Sequence, residues 1–376
     1  MRNRLLNGLA PAQFLHRYWQ KKPLLVRSGL PRAANLVTRD ELFELAQSAE
    51  TESRLILRKG TRWQVLHGPF RRRDLAGLPR RNWTLLVQGV NLVLPHAQEL
   101  LAPFAFIPYA RLDDLMVSYA PPGGGVGPHF DSYDVFLVQG EGQRRWRISS
   151  QRDLSLVDDA PLKILRDFRA TREWILDPGD MLYLPPRCAH DGIAIEACIT
   201  YSIGFRAPSA QDLCSRFYDF LQDRLDAPEC YADPDLQPTR RPARIDGRIT
   251  RGLLQLLRHA RWTRADLLRF IGEDLSSPKP HVVFAPPRRP LPLAAFRRSI
   301  AQRGLRLDAR SILLYDDRAF YANGERRELP AAAGTIVRRL ADRRTLAASP
   351  SITGQTLDVF YAWYRAGYLH PGASLP

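Results

Sequence analysis

The chain has 376 residues, 45% hydrophobic and 25% charged, enough for two or three domains with a sizeable core. It has no run of about eighteen apolar residues, and Met1–Ala10 has no apolar stretch or cleavage site, so neither a membrane span nor a secretory signal is expected. The net charge of +16 is nearly all arginine, since lysine stands only at positions 21, 22, 59, 163 and 279; it fits either a polyanionic partner such as RNA or a genome rich in arginine codons. The four cysteines, Cys188, Cys198, Cys214 and Cys230, form no CxxC pair and no zinc-finger spacing. They read as reduced thiols of a cytoplasmic protein, with Cys188 near enough to His190 to line a site there.

In chain order, Phe14, Leu15, Tyr18 and Trp19 give a short helix over residues 10–20, ended by Pro23. Leu24–Arg27 predicts a strand. Arg39–Ala46 predicts a helix capped by Thr38. Residues 53–66 alternate as strands around Lys59-Gly60. Trp83–Val90 reads as a buried strand and Pro95–Phe104 as a helix. Asp113–Ala120 is a strand running into residues 121–128, where four glycines and three prolines make a loop whose backbone can approach a ligand closely. No Lys-Ser/Thr and no helix follow that loop, which argues against a phosphate loop.

Between Tyr109 and Arg206 short strands and turn signals succeed one another, as in an antiparallel sandwich or barrel. The last long strand is expected over Ile193–Phe205. After Pro208 the pattern becomes helical, over Gln211–Leu225 and again over Ile249–Ile271, with a Pro- and Arg-rich linker between. A second proline-rich linker precedes a final part with a helix (Ala294–Arg303), a hairpin around Asp316-Asp317 and Asn323-Gly324, and two more helices (Thr335–Ala341 and Thr356–Tyr368). Helices around a hairpin in under a hundred residues suggest a winged helix.

The chemistry concentrates at two stretches. His129 and Asp131 stand two apart at the mouth of an apolar strand ending at Gln139, and residues two apart share a strand face. About sixty residues on, Asp177-Pro178-Gly179-Asp180 turns into the strand Met181–Leu184, which Pro185-Pro186 stops before a loop carrying His190. Two histidines and one carboxylate delivered this way match a metal set that leaves one face open, suited by ligand type to Fe(II), Mn or Zn. Arg144 follows the turn Gly140-Glu141-Gly142. If that is a two-residue hairpin turn, Gln139 faces Arg144, Leu137 faces Trp146, and Arg144 points into the barrel with His129 and Asp131. A three-residue turn would point it outward.

Residues Arg111–Phe205 resemble the JmjC-type 2-oxoglutarate oxygenases. Within them, the chain is similar to the bacterial ribosomal oxygenases that hydroxylate an arginine of a large-subunit ribosomal protein, the sixteenth of its series. The resemblance is carried by Asp113–Ser118, Gly123–His129, Asp131, Tyr133–Phe136, Gln139-Gly140, Arg144–Arg147, Pro178–Asp180, Tyr183–Pro186, His190 and Tyr201–Pro208. Tyr18–Leu25 and Tyr321–Glu325 extend it toward both ends. It implies Fe(II) held by His129, Asp131 and His190, O2 and 2-oxoglutarate as co-substrates, Arg144 on the 2-oxoglutarate C5 carboxylate, and Ser118 assisting. It implies an α+β fold in three parts: a double-stranded β-helix of the JmjC/cupin type (1–208), a helical dimerisation region (209–280) and a winged helix (281–376). The expected partners are a ribosomal protein substrate, ribosomal RNA or a ribosomal particle, and a second copy of the chain, with no membrane. Asp191 and Thr200 depart from the family pattern, and the loop Arg187–Ala189 is variable.

Two other readings stand beside this one. A JmjC oxygenase could act on a histidine of another ribosomal protein, or as a demethylase. A protein of another class would be a nucleic-acid-binding regulator, with a cupin barrel as sensor and the basic segment Thr335–Arg344 as recognition helix. A basic enzyme with a basic substrate also needs acidic groups at its active-site mouth, or RNA taking part.

Overall fold

The computed structural model describes residues 4–60 and 62–372; Met1–Asn3 of the N-terminal segment lie outside them. The chain divides into two compact units: Met1–Ala207 with Pro278–Ser311 and Pro330–Pro376, and Pro208–Ser277 with Ile312–Leu329. Among the described residues no helix is long and apolar enough to cross a membrane.

The first unit opens with α1 (Pro11–Arg17), β1 (Leu24–Val26) and α2 (Arg39–Gln47). The Thr38 hydroxyl caps α2 by accepting from the Glu41 N–H, while the Glu41 carboxylate accepts from the Thr38 N–H, the reciprocal box expected of this spacing. The hairpin β2 (Ser53–Lys59) and β3 (Arg62–His67) follows, then α3 (Arg72–Ala76), β4 (Trp83–Val87), and two single turns, α4 (Val90–Val93) and α5 (Pro95–Gln98). The longer helix expected over 95–104 does not form. Pro103 lacks a donor and starts a separate 3-10 turn at Ala102–Phe104.

Seven strands complete the barrel: β5 (Leu112–Ala120), β6 (Asp134–Glu141), β7 (Arg144–Ser149), β8 (Arg172–Leu176), β9 (Met181–Leu184), β10 (Ala189–Ala194) and β11 (Cys198–Phe205). One antiparallel sheet has the order β1-β9-β6-β11-β5-β4-β2-β3, and a smaller one β10-β7-β8. Strand period 2 sorts the side chains of β6. Phe136 and Val138 join the large core with Phe14, Tyr183, Tyr201 and Phe205, while Val135 and Leu137 join Trp146, Ile148, Leu182 and Leu184.

The expected β6–β7 hairpin is not there. β6 pairs with β9 and β11, and β7 with β10 and β8. Gln139 faces Thr200 rather than Arg144, and Leu137 faces Leu182 and Ser202 rather than Trp146. Gly140–Gly142 is a corner between sheets. Gly142 takes φ +59°, and a Cβ on Gly140 would lie 2.4 Å from the Tyr201 ring. The Gln139 amide closes the corner by donating to the carbonyls of Glu141 and Gly142. The single strand expected over Ile193–Phe205 is likewise two, β10 and β11, in different sheets.

The glycine loop approaches neighbouring backbone, not open space. Gly123 N–H donates to Ala194 O, and Ala194 N–H donates to Gly124 O. A Cβ on Gly125 would sit 2.4 Å from the Gly192 carbonyl oxygen.

In the second unit, α6 (Ala210–Gln222), α7 (Gly247–Leu256) and α8 (Arg264–Ser276) replace the two helices expected. The break comes at Leu257–His259, which tightens to 3-10, before Thr263 and Asp266 form a fresh capping box. Phe217, Phe220 and Phe270 pack α6 on α8. The C-terminal part adds α9 (Leu293–Arg303), β12 (Leu305–Leu307), β13 (Leu313–Tyr315), β14 (Phe320–Ala322), β15 (Glu325–Arg327), α10 (Ala331–Arg343), β16 (Thr345–Leu346), α11 (Gly354–Ala366) and β17 (Leu369–Pro371). The sheet β13-β14-β15 belongs to the second unit, and β16-β12-β17 to the first.

Gly125→Ala should destabilise the barrel by about 1–3 kcal/mol, because the added methyl must displace backbone. Urea denaturation followed by tryptophan fluorescence measures this, and an unchanged midpoint would contradict the close approach.

Candidate active site: a metal set and a buried guanidinium

A cavity of about 540 Å3 opens inside the barrel. His129, Asp131, His190, Arg144 and Ser118 all line it. Asp131 and His129 come from the segment leading into β6, not from the strand itself. His190 lies in β10, not in a loop, registered against Ile148 of β7. A pair of backbone hydrogen bonds joins the two histidines, His129 N–H to His190 O (2.9 Å) and His190 N–H to His129 O (2.8 Å).

That bridge brings one ligand atom from each of His129, Asp131 and His190 within 4.8 Å of one another. Each imidazole has its Nδ1 2.9 Å from a carbonyl oxygen, Gly127 for His129 and Cys188 for His190. A carbonyl only accepts, so Nδ1 carries the proton and Nε2 keeps its lone pair for a metal. His190 Nε2 lies 3.7 Å from Asp131 Oδ2. Burial, helped by the neighbouring His129, pulls the His190 pKa down to about 4, so the ring is neutral and ligand-competent at pH 7. A metal held by these three side chains would have positions open on its other side. The Cys188 thiol does not line the cavity, and burial raises its pKa to about 11, which leaves it unreactive. Its backbone carbonyl is what serves the site.

Arg144 is 3% exposed and points inward. Its Nη1 donates to Ser118 Oγ (3.2 Å) and Thr200 Oγ1 (3.3 Å), and Nη2 donates to Gly192 O (3.2 Å). The guanidinium also stacks over the Trp146 ring, 5.1 Å from its centroid. Its Nε has no partner, and none of the groups it donates to is a carboxylate. Burial lowers its pKa, opposed by Cys198 and Asp191, yet a guanidinium stays charged in proteins. A buried cation with only neutral partners is costly unless an anion joins it. Thr200 stands out in the sequence only as a departure from the family pattern. In the structure it ties Arg144 to Gln139 Oε1 (3.1 Å). Asp191, the other departure, pairs with Arg147.

The wall also carries Asp113, Asp114, Tyr133, Arg54 and Lys163, none of which the spacing of motifs singles out as functional. Asp114 accepts from the Gly89 N–H and from Lys279 Nζ at 3.0 Å, while burial raises its pKa.

A JmjC domain matches residues 99–213, and a ROXA-like winged helix matches residues 256–370. The ribosomal protein uL16 3-hydroxylase of Escherichia coli is 37% identical over 320 residues, 84% of this chain and 85% of that protein. This chain belongs to the JmjC ribosomal oxygenases. A probable ribosomal oxygenase of Haemophilus influenzae is 40% identical over 61% of this chain and 55% of its own length. The X-ray structure of E. coli ycfD superposes with a TM-score of 0.84 at 34% identity, covering 96% of this chain and 98% of that one. The same ribosomal oxygenase has been solved with cobalt and 2-oxoglutarate, and that structure superposes at 0.80. The JmjC barrel followed by a winged helix is thus the fold of this chain.

His129→Ala or Asp131→Ala should weaken binding of Co(II) at least as much as loss of an outer hydrogen-bond partner does, about 10–100-fold. Calorimetric titration of the metal-free protein measures it, and unchanged affinity in both variants would remove the set.

Proposed function

We propose that this ribosomal oxygenase is an Fe(II)- and 2-oxoglutarate-dependent hydroxylase of an arginine side chain of ribosomal protein uL16. The observation that carries the reading is Arg144, a guanidinium buried beside the metal set with hydroxyl, carbonyl and ring partners only. His129, Asp131 and His190 would hold the iron. Arg144, with Ser118 and Thr200, would take the far carboxylate of 2-oxoglutarate as a charge-assisted fork.

Iron, when bound, supplies the centre at which 2-oxoglutarate and O2 react. The overall change is balanced: 2-oxoglutarate, O2 and a C–H bond give succinate, CO2 and a C–OH bond. The chain's own residues position and shield. The two imidazoles are held in one tautomer by backbone carbonyls, so ligand geometry costs little to set up. Val135, Leu137, Trp146 and Ile164 line the cavity with apolar surface that limits water at the reacting carbon. The wall carries three carboxylates, Asp113, Asp114 and Asp131, against three cations, Arg54, Arg144 and Lys163, so the cavity lacks the positive excess of the chain as a whole.

The finer partner readings rest on surface chemistry. Leu253, Leu254, Leu257 and Trp262 are 45%, 56%, 66% and 51% exposed. α7 buries none of its own residues. Exposed apolar groups on α7 (Leu253 and Leu254) and just past its end (Leu257 and Trp262) support a homodimer formed through residues 209–280. Action on a ribosomal protein would suit an enzyme of the cytoplasm that works near ribosomal RNA.

Protein reconstituted anaerobically with Fe(II) and 2-oxoglutarate, then given air and uL16 peptides, should form succinate and add one oxygen to an arginine. Mass spectrometry reads this. No oxygen gain on any ribosomal-protein peptide, with no succinate, would overturn the hydroxylase, and oxygen on histidine would move the substrate. Arg144→Ala should raise the KM for 2-oxoglutarate more than it lowers kcat. Light scattering should give twice the chain mass, and Leu254→Arg with Leu257→Arg should halve it.

A further inference from the structure

Charge is unevenly spread along the chain. Residues 278–311 and 330–376 carry thirteen Lys and Arg against three Asp, a net +10 of the total +16. Spread evenly, 81 of 376 residues would carry about +3 of +16. Composition alone therefore does not explain this concentration.

Within this part a cavity of about 260 Å3 opens beside α10, lined by Arg339, Arg343, Thr345, Ser349 and Ser351 over an apolar floor of Leu346 and Ile352. No carboxylate lines it. Arg339 and Arg343 are exposed and one helical turn apart, so their guanidinium groups rise on one face. Arg306 of β12 is registered against Thr345 of β16, which puts its side chain on the sheet face that Thr345 occupies. Ser349 and Ser351 hold their hydroxyls 2.7 Å apart. Arg344, next in sequence, is already used. It donates to the carbonyls of Asp308, Ala309 and Ser311 and so fixes the end of α10.

The cavity lies toward the C-terminal end of α10, where the helix dipole disfavours an anion. That effect is about 0.3–1 kcal/mol at an exposed end and spans one turn. Two full positive charges on the same turn outweigh it.

We propose that this cavity and the Arg339–Arg343 face of α10 dock the phosphodiester backbone of RNA. Guanidinium forks match phosphate oxygens bidentately, and the hydroxyls can donate to the same group. No aromatic ring lines the cavity for base stacking, so the site reads backbone rather than sequence. A small concave pocket takes one phosphate of a flexible or folded strand better than the even outer surface of a DNA duplex. If the hydroxylase reading holds, RNA docking brings a basic enzyme to a basic ribosomal protein through the polyanion that protein binds. The docking itself does not depend on that reading.

The test uses the full chain and fluorescence anisotropy with a fluorescein-labelled single-stranded RNA of about twenty nucleotides over a KCl series. Arg339→Gln with Arg343→Gln should flatten the slope of log K against log salt by about 1.4, about 0.7 for each lost phosphate contact. Arg339→Glu with Arg343→Glu should weaken binding at least about tenfold at 0.1 M KCl. Arg240→Glu with Arg241→Glu, equal in charge change but in the linker of the second unit, should leave affinity within twofold. Melting temperature checks the fold of each variant, and single Arg343→Gln serves if a double variant melts early. Equal loss in the linker pair, no loss in the α10 pair, or duplex DNA bound as tightly as RNA would overturn the proposal. Hydroxylation of free uL16 peptide should be unchanged in the α10 variants. If no peptide is hydroxylated by the wild type while RNA binding still depends on Arg339 and Arg343, the hydroxylase reading fails and the RNA site stands.

Discussion

Two backbone hydrogen bonds between His129 and His190 hold the site together. They join the segment entering β6 to the start of β10, strands that belong to different sheets. A backbone bridge is short and directional, so it allows the two imidazoles little freedom relative to each other. Glycines make it possible. Gly125 must pass so close to the Gly192 carbonyl that a single methyl would force the strands apart. The same closeness lets Gly127 and Cys188 present carbonyls to the two Nδ1 atoms. Ligand spacing, tautomer and strand pairing are therefore one constraint.

Arg144 lines the same cavity from β7. Burying a guanidinium with only hydroxyl, carbonyl and ring partners costs stability that an apolar residue would not. Such a residue is understandable where an anion completes it. Gln139, Thr200 and Ser118 form the frame that keeps the fork pointing inward. Barrel strands β5, β6, β7 and β11 each supply one member, so the anion site reports on the whole barrel being closed.

The charge of the chain makes sense once it is divided. The cavity wall carries Asp113, Asp114 and Asp131 against Arg54, Arg144 and Lys163, while the C-terminal part of the same unit carries +10. The Debye length is about 8 Å at physiological ionic strength, so exposed charges farther apart than that are largely screened from one another. Lys279, one of the charges in that +10, pairs with Asp113 and Asp114 of the wall, whereas Arg339 and Arg343 on α10 are exposed.

The sequence by itself determined the chemistry: two histidines and a carboxylate at strand ends, an arginine fifteen residues on, a glycine-rich approach, and a change to helical spacing after Pro208. These are legible because ligand type and local periodicity are properties of short stretches. Thr38 capping α2 and the Lys59-Gly60 hairpin are legible for the same reason. Only the tertiary structure decided how Arg144 reaches the cavity. Period-2 patterning says that β6 and β7 alternate, but not whether neighbours in sequence pair with each other. The corner at Gly140–Gly142 sends them to opposite sheets, and Arg144 points inward through its pairing with β10 and β8, not through the turn. Thr200 as its partner, the strand position of His190 and the carboxylates on the wall depend on that same long-range pairing. No short stretch encodes it, because it is selected by which apolar faces can be buried together.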